Sequence, residues 1–243
     1  LVPKDTAVRR ALLASASFYL VVWWLGPSLI HSSPPLDVVE GWVWGQAWQA
    51  GYYKHPPLSA WLTAGATTVF GRNLWAVFLL GPLSILLACF AIWALSRQWL
   101  NERASFVVLC IATSQLYWSL FVPEFNHNVM QIPLWAAAFT VFVYCLEEAT
   151  LVRLLALGVV LGLCGLAKYS AVLLFMLLFA IWVADARVRE RLTLRDVLVV
   201  VGVAILAMGP NLIWQWSNGF SAFAYVADRS GPALGLAGRL RAA

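Results

Sequence analysis

Residues 151–184, LVRLLALGVVLGLCGLAKYSAVLLFMLLFAIWVA, are apolar throughout except for Lys168-Tyr169-Ser170 near the middle. As a single helix the stretch would be ~50 Å long at ~1.5 Å per residue, against a hydrocarbon core of ~30 Å, and it would leave an ammonium in lipid. As a hairpin it gives two short helices with Lys168 at the turn. The basic residues decide between the two. A hairpin returns Arg187, Arg189, Arg191 and Arg195 to the side that already holds Arg97, Arg103 and Arg153. A single helix would export them, against the excess of Lys and Arg that cytoplasmic loops carry. The expected fold follows from this turn.

Working outward, further apolar runs occupy Ala11–Ile30, Leu74–Leu95, Ala104–Val122, Val129–Leu146 and Val197–Trp214. With the hairpin they predict an all-α polytopic membrane protein of about seven transmembrane helices. With the N-terminus cytoplasmic, 10 of the 16 Lys and Arg fall on that side. The first run is long and has no small-residue cleavage site after it, so it reads as an anchor and not as a signal peptide. The long outer loop 31–73 contributes two more segments. Val38–Ala50, with Trp42, Trp44 and Trp48, reads as a helix in the interface plane. Leu58–Phe70, opened by Pro56-Pro57, is too short to span and reads as juxtamembrane.

Composition agrees with a lipid solvent. Apolar residues make up 62% of the chain and charged residues 11%, with a mean hydropathy of +0.80. A soluble domain carries about 25% charged residues. The 14 Trp and 7 Tyr suit rings at headgroup depth. No basic run is large enough for a nucleic-acid footprint. Cys89, Cys110, Cys145 and Cys164 sit in apolar runs without CxxC spacing and read as packing residues. No internal repeat is visible, which weighs against a secondary transporter. The start at Leu1 and the end at Arg241-Ala242-Ala243 suggest a piece of a longer protein, with 1–228 as a membrane module and 229–243 as the start of an outer segment.

This topology collects the chemistry on the outer face. Asp37 and Glu40 follow Pro34-Pro35, and their spacing also suits a capping-box-like helix start. A partly desolvated carboxylate there is a candidate general base. Lys54 and His55 precede a rigid Pro pair and read either as a turn with Lys54 snorkelling to water or as a pair facing an anionic group at the bilayer surface. Glu124, Asn126, His127 and Asn128 crowd one tight turn. Asn there is also a common cap, while His127 with Glu124 or Glu40 could ligate a divalent cation. Lys168, with Tyr169 beside it, reads either as a snorkelling lysine or as a fixed ammonium that suits a phosphate. Asn211 and Gln215 lie in a Trp-rich belt that reads mainly as an anchor.

Taken in order, Leu36-Asp37-Val38-Val39-Glu40-Gly41, Gly51-Tyr52-Tyr53-Lys54-His55-Pro56-Pro57-Leu58, Phe125-Asn126-His127-Asn128, Gly165-Leu166-Ala167-Lys168-Tyr169-Ser170 and Gly209-Pro210-Asn211-Leu212-Ile213-Trp214 carry a resemblance. Over residues 5–228 the chain resembles GT-C type integral-membrane glycosyltransferases that use polyprenyl-phosphate sugars. Within them it is most similar to the bacterial branch related to protein O-mannosyltransferases and lipid A aminoarabinose transferases. The resemblance implies a seven-helix module with two juxtamembrane helices in a bacterial inner membrane, its site facing the periplasm. It implies Asp37 as the catalytic carboxylate, with Glu40 and Glu124 beside it. Lys54, His55, Lys168 and Tyr169 would attend the donor phosphate, and Asn126 and Asn128 would position substrate. Related enzymes often carry an acidic residue where this chain has Asn126 and Asn128. A divalent metal on Glu40 and His127 is a further expectation. The partners implied are a lipid-linked sugar donor, an envelope acceptor and membrane lipids, without nucleic acid. The rival readings are a flippase or transporter of a lipid-linked substrate, and a non-catalytic assembly subunit.

Overall fold

The computed structural model describes residues 3–230, and within them every regular element is helical. In order they are α1 (Thr6–Ile30), α2 (Leu36–Gly45), α3 (Leu58–Phe70), α4 (Leu74–Ser96), α5 (Glu102–Thr113), α6 (His127–Glu147), α7 (Leu151–Ala167), α8 (Ala171–Ala184), α9 (Ala186–Arg191), α10 (Leu194–Ser217) and α11 (Ser221–Ser230). Four of these, α1, α4, α6 and α10, are long and apolar enough to cross a membrane. Helices α7 and α8 are equally apolar but shorter, at 17 and 14 residues. The expected second segment, 229–243, lies outside the described residues except for its first two positions, which close α11.

The hairpin forms. Lys168-Tyr169-Ser170 separates α7 from α8. At the far end of α8, the Trp182 indole donates to Leu192 O at 2.8 Å. Arg187, Val188 and Arg191 then line a crevice with Gln98, Trp99 and Glu147, at the same end as Arg153. This is the basic end of the molecule. A second observation requires the same return. Helices α7 and α10 run parallel, because Gly158 lies against Val200 and Val203, Gly162 against Ala204 and Ala207, and Gly165 against Met208. Two parallel neighbours need a segment that goes back between them, and α8 is that segment.

Without a hydrophobic driving force in lipid, helices associate where small residues let backbones approach. Gly158 and Gly162, four residues apart, do this for α7. A Cβ built on Gly162 would stand 2.5 Å from the Ala207 Cβ, and one on Gly158 2.6 Å from the Val203 Cβ. Leu154, Leu157, Leu161 and Cys164 then join Leu174 and Leu178 of α8 and Ala138, Phe142 and Cys145 of α6 in the main core.

The third crossing departs from expectation. Ala104–Val122 reads as one helix in the sequence, but α5 stops at Thr113 and only a 3-10 turn, Leu116–Trp118, follows. The cause is the polar run Thr113-Ser114-Gln115. The Thr113 and Ser114 hydroxyls turn back onto Leu109 O (2.9 Å) and Ile111 O (2.8 Å), competing with the backbone ladder. The irregular segment is carried by its neighbours instead: Tyr19 OH donates to Trp118 O, and Val122 O packs onto Gly81 of α4. Near the basic end, Glu102 accepts from the N–H groups of Lys4 (2.9 Å) and Asp5 (2.8 Å), tying α5 to α1. Helix α1 itself widens to a π-turn at Val21–Leu25, because Pro27 has no N–H to continue the ladder.

The glycine seam makes a sharp prediction. Gly162→Ala forces overpacking against Ala207 and should cost about 1–3 kcal/mol. Gly202→Ala, in α10 with nothing within 4 Å of the added methyl, should be neutral or slightly stabilising. Thermal unfolding of the two variants in detergent checks this; equal melting temperatures would contradict the parallel seam.

Candidate functional site

The site is built on a small apolar seat. Val38 of α2, Val77 of α4, and Phe125 and Val129 at the entry to α6 are all buried against one another. This fixes the start of α2 against the start of α6. Helix α2 begins at Leu36 with Pro35 at its N-cap and no side-chain cap. Asp37 is therefore inside the first turn, and the capping-box reading of Asp37 and Glu40 does not hold. Its carboxylate Oδ2 instead accepts from Asn126 Nδ2 at 2.8 Å.

The orientation of that amide is determined. Asn126 is the N-cap of α6, and its Oδ1 accepts from the backbone N–H of Asn128 (2.8 Å) and Val129 (3.1 Å). Since Oδ1 is taken by the helix, only Nδ2 can face Asp37. Asp37 also lies at the N-terminal end of α6, where the partial positive charge of the helix favours an anion.

The second layer is the loop between α2 and α3. Trp48 adopts a left-handed φ of 47°, and α2 ends at Gly45 rather than continuing to Ala50. Gly45 sits against Ala60 O and the Ala64 Cβ, locking α2 onto α3. Tyr52 is buried, stacked on Trp44 with ring centroids 5.1 Å apart. Its backbone N–H bonds His55 O at 3.2 Å, closing the turn that presents Lys54. Lys54 Nζ meets both oxygens of Glu40, at 3.0 and 2.9 Å. Burial works against this ammonium, but the Glu40 carboxylate outweighs it and holds Lys54 above the ordinary lysine value. The His55 and His127 rings are in close contact, with centroids 3.8 Å apart and their planes tilted by 33°. Burial, reinforced by the Lys54 and Lys168 ammoniums, pulls His55 down to about 4, so it is neutral at physiological pH.

Lys168 reaches in from the hairpin. Its Nζ donates to Asn128 Oδ1, and among the described residues no carboxylate lies within ion-pair distance of it. Burial pulls this ammonium below the usual lysine range. Tyr117 lies beside Asn128. Glu124 stands nearby, its carboxyl pushed up by burial and by the charge of Asp37. Asp37, Glu40, His55, Asn126 and His127 line one cavity with Ser59, Thr63 and Trp44.

Two expectations meet particular geometry here. The hydroxyl of Tyr169, a residue expected at the donor phosphate, is engaged by Asn211 Oδ1 (3.3 Å) and Gln215 Nε2 (2.6 Å). A metal on Glu40 and His127 does not fit the donor set. Both Glu40 oxygens are committed to Lys54, the His127 ring is packed against His55, and no metal-holding group of three His, Cys, Asp or Glu side chains occurs among the described residues. Sequence reasoning missed Tyr117 and the Gln131–Ser170 pair, which joins α6 to the hairpin turn at 3.0 Å. A Gln in an apolar run is a costly residue, and that cost was the signal available.

Residues 54–214 match the family model described as dolichyl-phosphate-mannose-protein mannosyltransferase. The chain belongs to this family. It is also similar to the lipid A galacturonosyltransferase RgtD of Rhizobium johnstonii, 26% identical over 191 residues that cover 74% of this chain and 38% of that protein. Its fold is that of ArnT from Cupriavidus metallidurans, a structure bound to undecaprenyl phosphate. The TM-score is 0.70 at 17% identity, over 86% of this chain and 42% of that one. The chain thus spans about two fifths of the length of these two relatives. The expectation of a GT-C type, multi-pass membrane protein holds.

His55 gives a pH prediction. Its folded value of about 4 lies below the unfolded value of about 6.5. As pH falls, the unfolded chain takes up this proton first. Stability should therefore decline from pH 6.5 towards 4. A His55→Gln variant should lose less melting temperature over that window; parallel curves for the two proteins would count against a buried neutral His55.

Proposed function

We propose that this chain is the catalytic membrane module of a glycosyltransferase. It would move a hexosyl or pentosyl group from a polyprenyl-phosphate donor to an envelope acceptor on the periplasmic face of a bacterial inner membrane. The observation that carries the reading is the charge pattern at Lys168. A half-buried ammonium with only a neutral Asn128 for a partner shares a site with a carboxylate, Asp37, held by a single hydrogen bond. An unpaired buried cation is costly, and a lipid phosphate would neutralise it. Family membership, the relation to a lipid A galacturonosyltransferase and a fold shared with a protein bound to undecaprenyl phosphate support the same reading.

In this reaction the acceptor oxygen attacks the anomeric carbon of the donor. The new C–O bond forms as the bond from that carbon to the phosphate oxygen breaks, inverting the centre. The electron pair leaves with the polyprenyl phosphate, whose growing charge meets Lys168 and Lys54. The acceptor hydroxyl proton passes to Asp37, which Asn126 holds by one oxygen while leaving the other for the acceptor. Glu124, with its raised proton affinity, is placed to accept the proton onward. Most of the acceleration would come from positioning and charge stabilisation, since phosphate is already a good leaving group. A transporter would need ionisable groups at mid-membrane depth; here the titratable cluster gathers at one end of the bundle.

In the full-length protein, Asp37→Asn should lower sugar transfer about 10²–10⁴-fold, the usual worth of a general base, while detergent-extracted protein melts as before. Undiminished transfer would refute the catalytic role. Asn126→Asp tests the amide separately. It would set a second carboxylate 2.8 Å from Asp37, and like charges at that range raise the shared proton affinity. The acidic limb of the pH–rate profile should move to higher pH; an unmoved limb would show that Asn126 does not govern Asp37.

A further inference from the structure

We infer that Asn211 is a positioning residue, a buried amide that sets the separation of the two lysines by tying their loops to one point on α10. The inference rests on the proposed lipid-phosphate reading. Asn211 is fully buried, one position after Pro210. Its Nδ2 donates to Ala50 O at 2.9 Å, in the loop that presents Lys54 four residues later. Its Oδ1 accepts from Tyr169 OH at 3.3 Å, next to Lys168. One side chain thus bridges positions 161 and 42 residues away in sequence, each beside a lysine of the site.

The direction of the Asn211 amide is fixed. Ala50 O only accepts, so the amide nitrogen must face it and the amide oxygen must face Tyr169. The Tyr169 hydroxyl then donates to Asn211 and accepts from Gln215 Nε2 at 2.6 Å. Gln215 lies one turn further along α10 and is itself buried. The loop also seats directly on this helix. A Cβ on Gly51 would stand 2.5 Å from Trp214 Cε3 and 2.8 Å from Asn211 Nδ2, so any larger residue would lift the loop away. Tyr169 is braced on its other side by Phe223 of α11, with ring centroids 5.5 Å apart. The lysines supply no such link themselves, since Lys54 bonds Glu40 and Lys168 bonds Asn128.

A residue that acts through the lysines has a distinctive signature. Binding of undecaprenyl phosphate to the full-length protein in detergent is measured for wild type, Asn211→Ala, Lys168→Ala and the double variant, with lipid-facing Leu212→Ala as a control. Asn211→Ala should weaken binding about 10-fold, as misplacement of a binding group does, and Lys168→Ala about 10–100-fold, as loss of a charged hydrogen bond does. The double variant should bind within about twofold of Lys168→Ala, because with one lysine gone there is no separation between the two left to hold. Leu212→Ala should bind as wild type does. Losses that multiply, or an unaffected Asn211→Ala, would overturn the inference. If Asn211→Ala does not fold, Tyr169→Phe replaces it under the same criterion, since it removes the hydroxyl and keeps the ring on Phe223. Wild type that fails to bind undecaprenyl phosphate, or Lys168→Ala that binds as well as wild type, would refute the donor reading itself and the inference with it.

Discussion

The close backbone approach of α7 and α10 organises everything else. At Gly158, Gly162 and Gly165, α7 puts no side chain of its own between the two helices, and the contact pairs advance together along both. The helices must therefore run the same way. Two parallel transmembrane neighbours in one chain force the segment between them to return, which places the α7–α8 turn at the end of the bundle where α2 and the start of α6 already meet. Lys168 reaches Asn128 because of a packing decision made along the length of a helix.

Charge is then distributed unequally between the two lysines. Lys54 is neutralised in place by both oxygens of Glu40, whereas Lys168 rests on a neutral amide. The difference is physical, since a buried cation without a counter-ion raises the free energy of the resting protein and is relieved only when an anion arrives. The carboxylate of Asp37 is restrained by Asn126, whose amide is itself oriented by the cap of α6. Helix start, amide and carboxylate form one chain of constraint, so the geometry at Asp37 does not depend on the loop that carries Lys54.

The hairpin, the two juxtamembrane helices and the gathering of Asp37, Lys54, His127 and Lys168 at one end were legible from hydropathy, proline placement and the count of arginines. Leu58–Phe70 matches its expected bounds. What was not legible were pairings between distant residues. Nothing local distinguishes Glu40 as a partner for Lys54 from Glu40 as a metal ligand, and nothing around Tyr169 says that its hydroxyl turns to Asn211. The break after Thr113 was missed for a different reason. Thr113, Ser114 and Gln115 are tolerable in an apolar window average, but their hydroxyls act on single carbonyls.

The shortness of α7 has a consequence for the lipid around it. Seventeen residues reach only ~25 Å, less than a typical ~30 Å hydrocarbon layer. A span that falls short is matched by thinning of the adjacent leaflet. With the proposed donor, the headgroup plane would dip towards the Lys168 turn, and a phosphate on an isoprenoid tail would reach the ammonium by lateral diffusion, its chain still dissolved in the bilayer.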